Sequence, residues 1–202
     1  MRWFTPTVEI DLCGHATLAS AFVVSHYIQK NLDVMRFNTL SGILEVTKKG
    51  ALFEMDFPAR TPHHIPLSPL MEQALGCPIK GAYQSRDCVL LVDNERIVQS
   101  LIPDMASLRQ IPDCFAVIVT AKGEKVDFVS RFFAPNAGIP EDPVTGSSHS
   151  TLIPFWAERL QKKKLVAQQL SKRGGTLYCE DCGERVKISG KAVLYLSGEI
   201  HC

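Results

Sequence analysis

Arg2-Trp3-Phe4-Thr5-Pro6 returns as Arg131-Phe132-Phe133-Ala134-Pro135, and the two copies stay in register far beyond these motifs. Gly14-His15-Ala16-Thr17 corresponds to Gly146-Ser147-Ser148-His149, Gly42-Ile43-Leu44 to Gly175-Thr176-Leu177, and Gly50 to Gly183. The alternating Phe53 and Met55 match Val186 and Ile188, all at an offset of about 130 residues. An internal repeat of this length implies two equivalent halves built from the same supersecondary unit.

Each copy reads as strand, loop, helix and a meander of strands. Ala16 to Ile28 is apolar on nearly every side, which predicts a helix buried all round, with strands wrapped about it. The alternating segments Ile43 to Thr47 and Ala51 to Phe57 flank the Lys49-Gly50 turn and predict half-buried antiparallel strands. In the second copy the helix runs through Leu152, Phe155, Trp156 and Leu160, with Pro154 removing one backbone donor inside it. Strands are expected at Thr176 to Cys179, Val186 to Ser189 and Ala192 to Ser197. Between the copies, Ser68-Pro69 and Gly76 bracket a short helix, and strands are expected at Cys88 to Val92, Phe115 to Thr120 and Val126 to Phe133.

The fold class is therefore α+β: two pseudo-symmetric lobes, each a rolled, mostly antiparallel sheet around a central helix. Residues 1–80 form the first lobe and residues 81–202 the second, with the C-terminal strands available to complete either. Strands precede the second Arg-aromatic-Phe motif and none precedes the first, so the first lobe is expected to lack its N-terminal part.

Lysine and arginine total 22 against 21 acidic residues, and the one cluster, Lys162-Lys163-Lys164, reads as a solvated helix end, so nothing points to nucleic acid. The longest apolar run, near Ala16 to Val24, is too short to span a bilayer, and the N-terminus does not have the layout of a signal peptide. Seven cysteines without framework spacing suit reduced thiols in the cytoplasm. Cys179 and Cys182 have the spacing of a metal or redox pair, but only His201 and Cys202 could complete a site, and the segment reads as a hairpin turn; no metal is expected.

Two glycine-led helix starts related by a pseudo-twofold axis would aim their free amides at one cleft and bind a carboxylate or enolate-like anion. Cys13 and His15 lie around the first start, and Glu141, Asp142, Ser147 and Ser148 around the second. Such a constellation suits acid–base chemistry on carbon acids without metal or cofactor.

The segment from Arg2-Trp3-Phe4-Thr5-Pro6 to Asp11-Leu12-Cys13-Gly14-His15-Ala16-Thr17, together with Glu141-Asp142-Pro143-Val144-Thr145-Gly146-Ser147 and Arg173-Gly174-Gly175, resembles the phenazine-biosynthesis PhzF-like family. The resemblance covers essentially the whole chain. It implies the diaminopimelate-epimerase type of fold, a biosynthetic isomerase that uses no cofactor, a small carboxylic acid substrate, and a homodimer. It also implies catalytic roles for Asp142, His15 and Ser147, with Gly14, Ala16, Gly146 and Ser148 against the substrate. The family's proton-shuttling glutamate belongs to a Ser-Glu-Thr-Ala-Phe-like motif upstream of the Arg-Trp-Phe-Thr-Pro segment, and no counterpart is found in this sequence. Two alternatives stay open: a catalytically inactive homologue that binds a small acid or another protein, and an epimerase that uses Cys13. A buried cysteine is usually inert, so Cys13 is assigned a structural role.

Overall fold

The computed structural model describes residues 1–5 and 7–199; His201 and Cys202, considered as metal ligands from their sequence position, lie outside them. In chain order the elements are β1 (Trp3–Phe4), β2 (Glu9–Ile10), α1 (Gly14–Val23, continued by a π-helical turn over Val24–Ile28), β3 (Val34–Thr39), β4 (Gly42–Lys49), β5 (Leu52–Pro58) and β6 (His63–Ile65). Next come α2 (Pro69–Leu75), β7 (Gly81–Gln84), β8 (Cys88–Leu91), α3 (Glu95–Ser100), α4 (Met105–Leu108), β9 (Val117–Lys122), β10 (Phe128–Ala134) and β11 (Ile139–Asp142). The chain then forms α5 (Gly146–Leu160), β12 (Lys164–Gln169), β13 (Gly175–Asp181) and β14 (Arg185–Gly190).

Twelve strands form one sheet in the order β3-β4-β5-β14-β13-β12-β10-β9-β8-β7-β6, with β11 added beside β10. Among the described residues only β10–β12 and β8–β9 are parallel pairs. Repeat-related strands meet at the centre: β5 pairs with β14, and Met55 lies opposite its own repeat mate Ile188. A pseudo-twofold axis therefore passes between these two residues, and the flanking pairs Phe57–Val186 and Phe53–Gly190 obey it. Gly50 (φ 62°) and Gly183 (φ 80°) turn the two equivalent hairpins in the left-handed region that a side chain disfavours.

The two repeat helices are buried to different extents. Every residue of α5 from Gly146 to Ala157 is buried, as a helix wrapped by sheet requires. Pro154 leaves the Ser150 carbonyl without its helical donor, and the Arg60 backbone N–H fills the gap at 2.8 Å. In α1 only Gly14, Thr17 and Ala21 are buried. This corrects the expectation of a helix covered all round: α1 packs on β4, β5 and α5, while Ala19 and Val23 on its other side stand exposed.

The strand expected at Ala192 to Ser197 does not form. Both edges of β14, the strand it follows, are already taken by β5 and β13, so the run cannot add beside its own neighbour in sequence, and Val193 and Tyr195 are exposed. Strand β10 is buried on both faces. Phe128 and Phe132 join α5 and the central core, while Val129 and Phe133 face α2, α3 and α4, which form an outer layer around Val98, Leu108 and Ile111.

Candidate active site

The two glycines that open the repeat helices touch. A Cβ on Gly14 would lie 2.6 Å from Gly146 Cα, and a Cβ on Gly146 would lie 2.7 Å from Gly14 Cα. The contact is reciprocal, as the pseudo-twofold axis demands, and only residues without side chains permit it. Cys13 and Thr145, the residues just before each helix, are extended and offer no side-chain cap to the first-turn amides. Two sets of free N–H groups and two positive dipole ends thus meet in one place.

A cleft of about 710 Å³ opens there, lined by His15, Asp142, Gly146, Arg173 and Lys191 among others. A smaller cavity of about 60 Å³ continues from it past Cys13, Gly14, His15, Arg86, Asp142 and Ser147. His15, Asp142, Ser147, Gly14 and Gly146 are therefore brought together as the sequence suggested. Ala16 is half-buried against the core instead. Ser148 is 1% exposed and its hydroxyl donates to the Thr145 carbonyl at 2.8 Å, so it faces its own helix and not the cleft. The side chains of these two turn away from the cleft, because a helix turns each successive residue by about 100°, while their backbone N–H groups belong to the first turns that meet there.

The polar groups are held from behind. Gln169 on β12, 1% exposed, accepts from the Thr145 amide at 2.7 Å and donates to the Asp142 carbonyl at 2.7 Å and to Thr145 Oγ1 at 3.1 Å. Thr145 Oγ1 in turn donates to Asp142 Oδ2 at 2.5 Å. Burial pushes the Asp142 carboxyl above its ordinary range, with the Thr145 hydroxyl and nearby His15 opposing it. Glu141 points away, its two oxygens held by Arg131 at 2.7 and 3.0 Å.

Cys13 takes a larger part than its sequence position implied. Its Sγ lies 3.6 Å from His15 Nε2, and this contact, opposed by burial and assisted by the charge of Asp142, raises the imidazole to about 9. The geometry thus favours the protonated form of His15, beside a carboxyl whose own affinity for its proton is raised. Arg86 is absent from the sequence reading, although its guanidinium reaches Ser147 Oγ at 3.3 Å. No motif marks it in the sequence, so only the folded chain brings it in. Among the described residues no three His, Cys, Asp or Glu side chains are grouped as metal ligands. Cys179 is buried in β13 and Cys182 is exposed in the turn beyond it. No helix among the described residues is long and apolar enough to cross a membrane.

Comparison with known proteins agrees with this architecture. An uncharacterized isomerase of Pseudomonas aeruginosa is 48% identical over 201 residues, covering 100% of this chain and 77% of the relative. A phenazine biosynthesis-like domain-containing protein of Homo sapiens is 36% identical over 220 residues, covering 99% of this chain and 76% of the relative. The crystal structure of a PhzF family protein from Enterococcus faecalis superposes with a TM-score of 0.95 at 47% identity, covering 100% of this chain and 77% of that one. A hydroxyproline epimerase from Agrobacterium vitis shares the fold at a TM-score of 0.65 and 12% identity, covering 94% of this chain and 66% of that one. The model of the family described as phenazine biosynthesis-like protein, PhzC-PhzF, matches residues 1–198, and the chain belongs to that family.

Proposed function

We propose that this chain carries the active site of a cofactor-independent, cytoplasmic isomerase that moves a proton and a double bond within a small carboxylic acid in a biosynthetic pathway. Residues 1–80 and 81–202 act as its two lobes. The observation that carries this reading is the meeting of two uncapped helix starts at Gly14 and Gly146 beside His15 and Asp142. Free amides and dipole ends favour a carboxylate, or the enolate-like charge that develops when a neighbouring carbon loses its proton. The His15 imidazole and Asp142 position and polarise the substrate, and the Ser147 hydroxyl with the Gly14 and Gly146 amides holds its anionic group. Naming of relatives as isomerases supports the reaction class.

The Cys13–His15 contact favours a second reading, in which the thiol acts as the base of an epimerase. A binding protein without turnover is the third. Deuterium incorporation from D₂O into a panel of small unsaturated carboxylic acids, followed by NMR, separates them. The isomerase reading expects incorporation that Asp142→Asn abolishes and Cys13→Ser leaves intact. Loss in Cys13→Ser with retention in Asp142→Asn selects the epimerase. Tight binding without exchange selects the binder, and exchange that appears only when an upstream segment bearing the family's glutamate motif is joined places the base outside residues 1–202.

A further inference from the structure

The isomerase chemistry leaves Arg86 unused, although it lines the same small cavity as His15, Asp142 and Ser147. Its guanidinium is held on every side. Nε and Nη2 donate to the two carboxylate oxygens of Asp87 at 3.0 and 2.8 Å, Nη1 donates to Asp11 Oδ1 at 3.0 Å, and Nη2 also donates to Ser147 Oγ at 3.3 Å. The cation stacks on Phe115, 4.9 Å from the ring centre. Asp87 is fully buried and Asp11 is shared with Arg60 at 2.6 Å, so two carboxylates and two guanidiniums balance one another. Asp11 lies just ahead of Gly14 and Ser147 just after Gly146. One side chain, anchored between β7 and β8, therefore reaches both the segment ahead of α1, at Asp11, and the first turn of α5, at Ser147.

We infer that Arg86 is a positioning residue that turns the Ser147 hydroxyl toward the bound carboxylate, an inference that rests on the isomerase reading. A serine hydroxyl has one proton and two lone pairs. With a lone pair occupied by the Arg86 N–H, the proton is free to donate into the cavity. The competing arrangement is visible one residue on, where Ser148 donates back to the Thr145 carbonyl of its own helix start. Arg86 prevents Ser147 from doing the same, and its charge strengthens the outward hydrogen bond. A lysine at this position retains the charge beside Asp87 but cannot spread one ammonium over Asp11, Asp87 and Ser147.

The test compares Arg86→Lys, Ser147→Ala and the double variant with the wild type, using crotonate as the probe and the Gly14 and Gly146 amide shifts as the readout. Arg86→Lys is expected to weaken crotonate about tenfold, the scale of one charge-assisted hydrogen bond. The double variant should be no weaker than Ser147→Ala alone. Unchanged affinity in Arg86→Lys, or losses that add in the double variant, would overturn the inference. In the ligand-free protein the Hα–Hβ couplings of Ser147 should report one rotamer in the wild type and averaging in Arg86→Lys; the same single rotamer in both also overturns it. If crotonate does not bind the wild type, these couplings decide the role of Arg86 by themselves, and the isomerase reading stands or falls on deuterium incorporation across the panel of acids. Phe115→Leu removes the ring on which the guanidinium stacks and so loosens Arg86; it serves in place of Arg86→Lys if that variant does not fold, with weaker crotonate binding and averaged Ser147 couplings expected, and no change in either overturning the inference.

Discussion

Replacing Gly14 with alanine places a methyl group 2.6 Å from Gly146 Cα and 3.2 Å from Gly146 N. The obstructing atoms are backbone, so no side-chain rotation relieves them, and a normal carbon–carbon contact of about 3.5–4.0 Å requires the helix starts to part by roughly 1 Å. Overpacking of this kind costs about 1–3 kcal/mol. The better helix propensity of alanine returns about 1 kcal/mol at most, so a net loss of about 1–2 kcal/mol is expected. Gly146→Ala should behave alike, because its methyl would meet Gly14 Cα at 2.7 Å. The double variant should cost less than the two single losses combined, since the first methyl already opens the gap the second needs. Urea unfolding followed by far-UV circular dichroism measures all three. Gly198→Ala is the control: nothing lies within 4 Å of its Cβ position, and its stability should stay within about 0.5 kcal/mol of wild type. A Gly14→Ala protein as stable as the control would refute the contact between helix starts on which the site is built.

Buried His149, with Nδ1 against the Thr145 carbonyl at 2.8 Å, is pushed by burial down to about 4. The unfolded chain binds this proton below pH 6.5 and the folded protein only near 4, so stability falls as pH drops through that window, by about 3 kcal/mol in all; urea midpoints at pH 7, 5.5 and 4.5 track it, and a flat profile contradicts it. His15 behaves oppositely: its proton, held to about 9, adds stability below pH 6.5 that is lost as pH rises through 9. An NMR titration should find the His15 midpoint near 9 and, in Cys13→Ala, closer to 6.5, because the thiol contact is the largest cause of the shift; a midpoint unmoved by Cys13→Ala refutes that cause. Gln169→Leu leaves the Thr145 amide and the Asp142 carbonyl without their partner and should cost about 3 kcal/mol in urea unfolding; a loss under about 1 kcal/mol would mean that the Thr145 loop holds itself.

The repeat made much of this structure legible. Gly50 and Gly183 marked equivalent turns, Met55 and Ile188 marked equivalent strand positions, and Gly14 and Gly146 marked the helix starts that meet. His15, Asp142 and Ser147 came with them because they flank those glycines in sequence. Arg86 and Asp87 were not legible, because Arg86 reaches Asp11 and Ser147 across long stretches of chain and its role exists only after folding. Ser148 looked equivalent to Ser147 because adjacency along the chain does not reveal which side of a helix faces a cleft. The open side of α1 was missed for a related reason: an apolar helix announces that it can be buried, and says nothing of which elements pack on it. The run from Ala192 to Ser197 alternates like a strand, but a strand needs a free edge, and β14 has none.

The most direct test of the central claim is deuterium incorporation from D₂O into small unsaturated carboxylic acids, with the wild type and Asp142→Asn measured side by side. The account predicts incorporation at a carbon next to the double bond or carboxylate in the wild type and its loss in Asp142→Asn. Incorporation that Asp142→Asn leaves unchanged would contradict the assignment of the cleft between Gly14 and Gly146 as the place where the proton moves.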